Sequence, residues 1–236
     1  MSLAPTAEAA PNAPRGAHAA SASAVHTPAA ASGTGDTASA REASGPGYML
    51  VVTGPSGAGK GTLVSHLLKT RPGCVFSISA TTRARRATEA QGREYEFLEP
   101  ADFLAHVDRG YFLEWAHVHG QFYGTPAGPV DDQVRAGKVV VLDVDVQGGA
   151  SVRRARPRAV SVFVYPPSID SLRARLEARG TDKPEVIEER LRNAPGEMAQ
   201  AVHYDYIIMN DDLERAQAAL VAIHDAELAR VRGAVS

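Results

Sequence analysis

The chain has 236 residues, of which 44% are hydrophobic, and it carries 25 basic and 27 acidic side chains for a net charge of −2. This length is enough for one sizeable core, and the charge balance gives no general attraction to nucleic acid or to an acidic membrane. A single cysteine excludes an internal disulfide, and the sequence has neither an apolar run long enough to cross a membrane nor a secretory signal pattern. We therefore expect a cytoplasmic protein without nucleic-acid or membrane partners, and a homo-oligomer stays open.

Residues 1–46 differ in composition from the rest of the chain. They are dominated by Ala, Ser, Thr, Gly and Pro, and Leu3 and Val25 are their main large apolar side chains. Such a segment cannot bury enough apolar surface to offset the entropy lost on ordering, so we predict a disordered tail. An organelle transit peptide is the alternative, but Arg15 and Arg41 are the only basic residues of the segment.

From Tyr48 onward, apolar runs that predict buried strands alternate with apolar residues at helical spacing. This alternation indicates a parallel α/β sheet flanked by helices. The predicted strands are Tyr48–Val52, Val139–Leu142, Val160–Val164 and Tyr206–Met209, and the predicted helices include Leu63–Leu68, Val130–Ala136, Ile169–Arg179 and Leu213–Arg232. Residues 75–127 are instead rich in aromatic side chains and short β-like pieces, which predicts an inserted lobe with a small sheet of its own.

The segment after the first predicted strand has the pattern of a phosphate-binding loop. Its glycines let successive backbone N–H groups face one anion, the following helix contributes its positive end, and Lys60 reaches the β- and γ-phosphates. Gly61 stands where Ser or Thr usually follows the lysine, so Thr62 is the remaining hydroxyl candidate for a metal. The residues predicted to bind ATP here are Gly54, Pro55, Ser56, Gly57, Ala58, Gly59, Lys60, Gly61 and Thr62.

A second anion site is predicted where hydroxyl side chains precede three arginines, in the segment from Ser79 to Arg86. Guanidinium groups match phosphate geometry through paired hydrogen bonds. A solvated basic loop would have the same composition, and this segment alone does not separate the two interpretations.

Four separated motifs then agree in order with the guanylate kinase family. They are the phosphate loop, the Thr81-Thr82-Arg83 segment, the pair Leu113-Glu114-Trp115 and Tyr123-Gly124-Thr125, and Leu142–Gly148. From about Tyr48 to the C-terminus the chain resembles this family. The resemblance implies a P-loop NTPase fold with a GMP-binding lobe at about 79–127 and a helical lid at about 177–196, within a domain spanning 47–236 whose phosphate loop is 54–62.

The resemblance also implies roles for individual residues. Glu114 would accept hydrogen bonds from guanine N1–H and the 2-amino group, a donor pair that adenine lacks. The predicted GMP-binding residues are Ser79, Arg83, Arg86, Tyr95, Glu114, Tyr123, Gly124, Thr125 and Asp145. Arg175 and Asn210 would contribute to ATP binding, and Lys60, Arg86, Arg179 and Arg190 would stabilise the charge of the transition state.

Asp143 and Asp145 end a buried strand, and Asp143 with Thr62 is the candidate pair for Mg²⁺, which they would hold directly or through water. Arg175 and Arg179 share one helix face, and Gly180 stops that helix. Pro195-Gly196 lies where the family has a continuous helix, so we expect the lid helix to break or kink there.

The function implied is transfer of the γ-phosphoryl group of ATP to GMP, with Mg²⁺ as cofactor. Two alternatives stay open at the level of the sequence. A kinase for a phosphorylated sugar such as ribose 1,5-bisphosphate would share Lys60 but would not need Glu114, Tyr123 and Thr125. A non-catalytic guanylate-kinase-like module that binds phosphopeptides would not need the intact Gly59-Lys60.

Overall fold

The structure, a computed structural model, describes residues 25–26, 46–85, 89–93, 95–118, 120–180 and 182–233. These residues form ten strands, seven α-helices and one 3₁₀ segment. In chain order they are β1 (Val25–His26), β2 (Tyr48–Thr53), α1 (Lys60–Thr70), β3 (Cys74–Phe76), β4 (Ser79–Thr81), β5 (Tyr95–Phe97), α2 (Pro100–Asp108), β6 (Phe112–Val118), β7 (Gln121–Pro126), α3 (Ala127–Arg135), β8 (Val139–Asp143), α4 (Val146–Ala155), β9 (Val160–Tyr165), α5 (Ile169–Arg179), α6 (Pro184–Met198), the 3₁₀ segment Ala199–His203, β10 (Tyr206–Met209) and α7 (Leu213–Gly233).

Five strands form a parallel sheet in the order β10-β9-β2-β8-β3. The four strands predicted from apolar runs are β2, β8, β9 and β10, and their parallel pairing confirms the predicted α/β class. The fifth strand, β3, was not predicted as part of this sheet. Since β2 lies in the middle, the loop that follows it emerges at the centre of the sheet's carboxyl edge, where parallel α/β sheets bind ligands.

Alternate residues of the central strands enter two separate hydrophobic cores. Leu50 and Val52 of β2 pack into one core with residues of α1, α5, α6 and α7. Met49 and Val51 pack into a second core with Val130 of α3 and Val152 of α4. Because side chains alternate between the faces of a strand, a strand that is apolar throughout requires helices on both faces, as the sequence predicted.

Four strands from the segment between β3 and α3, together with β1, form a second sheet in the order β1-β6-β7-β4-β5. Its small core is aromatic: the ring centroid of Phe103 lies 4.5 Å from that of Phe112 and 5.3 Å from that of Phe122. This is the separate small sheet that the aromatic segment predicted. The two residues of β1 pair antiparallel with Trp115 and Ala116 of β6; otherwise the predicted disordered tail over 1–46 lies outside the described residues, apart from Pro46.

The expected break in α6 at Pro195 is not found, while a kink there stays a prediction. α6 runs from Pro184 to Met198 and contains Pro195. A proline removes one backbone donor, and here it does so within four residues of the helix end, while Ile187, Leu191 and Ala194 hold the helix in the core beside α5. Within the part of the chain that is described, no helix is long and apolar enough to cross a membrane.

Candidate active site

The phosphate loop joins the end of β2 to the start of α1. Gly59 immediately precedes α1 and has a φ of 96°. Residues with a Cβ rarely adopt this backbone conformation. A Cβ at this position would also lie 2.3 Å from the side-chain nitrogen of Asn210. Lys60, the first residue of α1, turns its side chain back over the loop and donates to the carbonyl of Gly54 at 2.7 Å. The lysine is therefore held at the mouth of the loop, where phosphates would approach.

Two predicted ATP-binding residues hold this loop from its outer side. The guanidinium of Arg175 donates to the carbonyl of Ala58 at 3.2 Å and to that of Asn210 at 2.8 Å. The side-chain amide of Asn210 donates to the same Ala58 carbonyl at 2.7 Å. Helix α5 and the end of β10 thus fix the shape of the loop through a single carbonyl oxygen.

Asp143 and Asp145, at the end of β8 and the start of α4, have different surroundings. Asp143 ends β8, and one of its carboxylate oxygens lies 3.9 Å from the position that a Cβ would take at Gly61. Burial raises the pKa of Asp143, while Lys60 lowers it. Asp145 is the N-cap of α4 and accepts a hydrogen bond from the backbone N–H of Gly148 at 2.7 Å.

Glu114 is a buried carboxylate among the predicted GMP-binding residues. Its side chain accepts a hydrogen bond from the hydroxyl of Thr125 at 2.6 Å, and the residue is 6% exposed. Burial raises the pKa of Glu114 to about 7; the hydrogen bond from Thr125 lowers it, and the charge of Asp145 raises it. Desolvation makes the charged form of this carboxylate costly unless donors of a ligand reach it.

A bulge in β6 explains how Glu114 reaches this position. The pairing between β6 and β7 shifts between Phe112 and Glu114. Phe112 packs into the aromatic core, Leu113 enters the core of the parallel sheet, and Glu114 lies opposite Thr125. Bulges commonly re-aim side chains next to binding sites, and this one also anchors the second sheet on the first.

The predicted phosphate-binding side chains come together on the second sheet. The guanidinium carbon of Arg83 lies 5.5 Å from the ring centroid of Tyr95, whose ring lies 6.3 Å from that of Tyr123 in an edge arrangement. Arg83 pairs with Glu89 at 2.8 Å. Ser79 pairs with Tyr95 across the strands β4 and β5.

For three predicted site residues, the structure gives no direct support for contact with a nucleotide or a metal. Arg86 lies outside the described residues. Gly124 is buried, and a Cβ there would come within 2.9 Å of Phe112, so packing already requires a glycine at this position. Thr62 is exposed in the first turn of α1.

Asp143 acts electrostatically on residues of both predicted anion sites. Burial raises the pKa of Tyr95 most; Tyr123 raises it too, Arg83 lowers it and Asp143 raises it. Lys60 in turn lowers the pKa of Asp143.

The lid arginines differ in their surroundings. Arg190 of α6 donates to the hydroxyl of Ser56 at 2.8 Å and to Asp182 at 3.0 Å. Arg179 is exposed at the end of α5, before Gly180 with a φ of 64°. The structure therefore brings Arg190 to the phosphate loop and leaves Arg179 at the surface.

Comparison with known proteins identifies the family. The family model described as guanylate kinase matches residues 47–227. The chain belongs to the guanylate kinase family. It is 50% identical to the guanylate kinase of Symbiobacterium thermophilum over 184 residues, covering 78% of this chain and 87% of that protein. It is 48% identical to that of Aromatoleum aromaticum over 178 residues, covering 75% and 87%.

A solved structure of a guanylate kinase, from Anaplasma phagocytophilum, has a similar fold. The TM-score is 0.65 at 32% identity, and the match covers 80% of this chain and 90% of that one. The resemblance inferred from the four motifs is thus confirmed. All candidate site residues lie inside the range that the guanylate kinase model matches.

Two residues near the site were not predicted. Gly148 is so close to Glu114 that a Cβ there would lie 3.0 Å from its carboxylate oxygen. Glu197 of α6 interacts electrostatically with Lys60, Asp145 and Arg190. Glu197 follows Arg190 by seven residues, or two helical turns, so the two residues share a face of a continuous helix. This spacing was not used in the sequence analysis because the helix was expected to break at Pro195.

Proposed function

We propose that the protein transfers the γ-phosphoryl group of ATP to the phosphate of GMP, giving ADP and GDP, as part of purine nucleotide metabolism. The observation that supports this most is the buried Glu114 with its Thr125 partner, on the sheet next to which Arg83 lies. A site with these two ends suits a substrate that has a guanine at one end and a phosphate at the other.

Guanine is recognised by the carboxylate of Glu114. In its ionised form this group accepts hydrogen bonds from N1–H and from the 2-amino group, and Thr125, Ser79 and Asp145 complete the contacts to the nucleoside. Adenine offers no such donor pair and would leave the buried carboxylate without hydrogen bonds from the base, at a cost of about 1–3 kcal/mol or more. The phosphate of GMP binds between Arg83, Arg86, Tyr95 and Tyr123.

Transfer depends on alignment and on neutralising charge. Lys60 holds the β- and γ-phosphates, and Arg86, Arg179 and Arg190 stabilise the charge that spreads over the transferred group. Arg190 already donates to Ser56 of the loop, so little movement brings it to the γ-phosphate. The nucleophile is an oxygen of the GMP phosphate, which needs no protein base.

Mg²⁺ fits the residues at the phosphate loop as a metal held chiefly by phosphates and water. Among the described residues, no group of three or more carboxylate, histidine or cysteine side chains could hold a metal ion. Asp143 would orient water molecules of the bound ion, and the Thr62 hydroxyl is the other candidate ligand. When bound with ATP, the ion neutralises phosphate charge; the protein residues position the nucleotide and exclude water.

The proposal also assigns a role to each predicted part of the chain. The segment 79–127 acts as the GMP-binding lobe and 177–196 as a lid that closes over ATP, within the unit 47–236. The reaction takes place in the cytoplasm, where both nucleotides are available.

The test is a coupled spectrophotometric assay with ATP and Mg²⁺, using GMP, AMP, CMP and ribose 1,5-bisphosphate as acceptors. We expect turnover with GMP far above that with the other three. Lys60→Ala should abolish it, whereas Lys69→Ala, a change in the exposed last turn of the same helix, should not. Preference for the sugar phosphate would contradict the proposal, and so would a wild-type protein that binds phosphopeptides without any turnover.

A further inference from the structure

Asp182 lies in the connection between α5 and α6 and directs its carboxylate at Arg190. Oδ2 of Asp182 accepts a hydrogen bond from Nη1 of Arg190 at 3.0 Å. The side chains of Asp182 and Arg190 expose 16% and 25% of their area, so water and salt screen this ion pair less than a pair at the surface. Asp182 does not cap α6, because that helix begins at Pro184 with Lys183 as its N-cap. The carboxylate is thus committed to the arginine.

The nitrogen of Arg190 that bonds to Asp182 also bonds to the phosphate loop. Nη1 donates to the hydroxyl of Ser56 at 2.8 Å, so both of its hydrogen atoms have an acceptor. The three remaining N–H groups, on Nε and Nη2, donate to nothing within the described part of the chain. Nε and Nη2 form the edge with which an arginine binds two oxygens of one anion, as they do in Arg71, which holds Asp225 at 2.8 and 2.6 Å. Arg190 is therefore fixed by one nitrogen and keeps an edge that can bind an anion.

The two anchors of Arg190 belong to different parts of the molecule. Ser56 is part of the phosphate loop, whereas Asp182 adjoins the helix that carries Arg190. The bond to Ser56 therefore depends on how α6 lies over the loop, while the bond to Asp182 moves with α6. Ordering a long arginine side chain costs conformational entropy, and phosphoryl transfer is faster when the charged groups are ordered beforehand. A carboxylate beside the same helix provides this order whatever the position of α6.

We propose that Asp182 is a positioning residue, which anchors Nη1 of Arg190 so that the edge formed by Nε and Nη2 binds the phosphoryl group during transfer. The proposal rests on the kinase function proposed above and on the part of Arg190 in it. In this role Asp182 contacts neither nucleotide, because its negative charge would repel their phosphates. It acts through the arginine alone.

The test measures kcat and KM for both substrates in the wild type, Asp182→Ala, Asp182→Asn, Arg190→Met and the double variant Asp182→Ala/Arg190→Met. Asp182→Ala should lower kcat about 10- to 100-fold, because a small misplacement of a charged group costs that much, and should leave both KM values within about twofold. Asp182→Asn keeps an acceptor oxygen and should be intermediate. In the Arg190→Met background, Asp182→Ala should change kcat by less than about twofold, because a positioning residue has no effect once the group that it positions is gone.

The control is Glu185→Ala. Glu185 is an exposed carboxylate in the first turn of α6, so its removal takes a negative charge from the same end of the helix. The control should keep kcat within about twofold, as exposed substitutions usually do. Asp182→Ala should still fold, because α5 and α6 enter one hydrophobic core and are also joined by the ion pair of Arg173 and Glu188.

Three outcomes would overturn the proposal. They are a kcat that is unchanged or raised in Asp182→Ala, an equal loss from Asp182→Ala with and without Arg190, and an equal loss in Glu185→Ala. The second would show that Asp182 has a structural role independent of the arginine. If Asp182→Ala did not fold, Asp182→Asn in the same two backgrounds would decide by the same criteria. Absence of GMP turnover in the wild type would instead contradict the kinase function itself, so the two failures are distinguishable.

Discussion

At the scale of single residues, the protonation of Glu114 has the most direct consequence for substrate use. Burial raises its pKa to about 7, so near neutral pH the nucleotide-free enzyme is a mixture of protonated and ionised forms. Only the ionised carboxylate of Glu114 can accept hydrogen bonds from both guanine donors, N1–H and the 2-amino group. We expect kcat/KM for GMP to rise about tenfold between pH 6 and pH 8, measured in a pH profile at saturating ATP.

The control for this profile is Glu114→Gln, which does not titrate. It should lose about 5- to 150-fold in kcat/KM for GMP, from the 1–3 kcal/mol of an unmatched buried polar group, with KM for ATP little changed. Its profile should lack the step near pH 7 and retain only the titration of the GMP phosphate, near pH 6. The same step in both proteins, or an equal loss for both nucleotides, would exclude Glu114 as the base-reading group.

A second residue-scale prediction concerns Gly148 in α4. Alanine is a better helix former than glycine by up to about 1 kcal/mol, but a Cβ at this position would lie 3.0 Å from Glu114 and 3.3 Å from Asp145. We expect Gly148→Ala to raise KM for GMP about tenfold through misplaced contacts, without lowering the melting temperature. Gly128→Ala in α3, where a Cβ meets nothing within 4 Å, is the matched control. An unchanged KM for GMP in Gly148→Ala would count against this site for guanine.

The sequence was informative about individual site residues and silent about how they are brought together. Lys60 and Glu114 could be named because each belongs to a local motif. The bulge between Phe112 and Glu114 could not be foreseen, because a register shift depends on the strand that pairs with β6. The same holds for Gly148, whose importance comes from its contact with a residue 34 positions earlier in the chain.

At the scale of secondary-structure elements, α6 reaches the phosphate loop through Arg190. Its bonds to Ser56 and Asp182 hold the guanidinium beside the loop, where we propose that it stabilises the charge of the transferred group. We expect Arg190→Met to lower kcat by about 10³-fold, the lower range for arginines that stabilise phosphoryl transfer, with a small change in KM for GMP. Steady-state kinetics with both substrates varied would measure this.

The control lies on the same helix. Arg192 is exposed, so Arg192→Met should keep kcat within about twofold, as is usual for surface substitutions. Equal effects of the two substitutions would mean that Arg190 serves the stability of the helix, and the melting temperatures of both variants would then fall together.

Elements with a strong apolar period were predicted well. The bounds of β10 and α5 agree with the structure, and α7 differs by one residue at its end. α4 was missed because Gly148 and Gly149 interrupt its apolar pattern, and α2 because it lies in the aromatic segment that was interpreted as β-like. The break predicted at Pro195 relied on a local rule that tertiary packing of α6 overrides.

At the scale of the whole molecule, we propose that the two sheets divide the two substrates between them. The first carries the phosphate loop and Lys60, and the second carries Arg83 and Glu114. Leu113 of β6 belongs to the core of the first sheet, while its neighbour Phe112 belongs to the core of the second. The strand that carries Glu114 is thus fixed to the sheet that carries the phosphate loop, and we propose that this keeps guanine in register with ATP.

The last prediction concerns residues 1–45, which precede the range matched by the family model. Among the described residues, this segment contributes only β1, which pairs with Trp115 and Ala116 beside Glu114. A strand of two residues adds little stability, so a chain beginning at Pro46 should keep kcat/KM for both substrates within about twofold and its melting temperature within about 3 °C, equivalent to about 1 kcal/mol or less. Kinetics and thermal unfolding of the two chains side by side measure this. A rise in KM for GMP alone would contradict this prediction. It would mean that β1 is needed to hold β6 and the carboxylate of Glu114 in place.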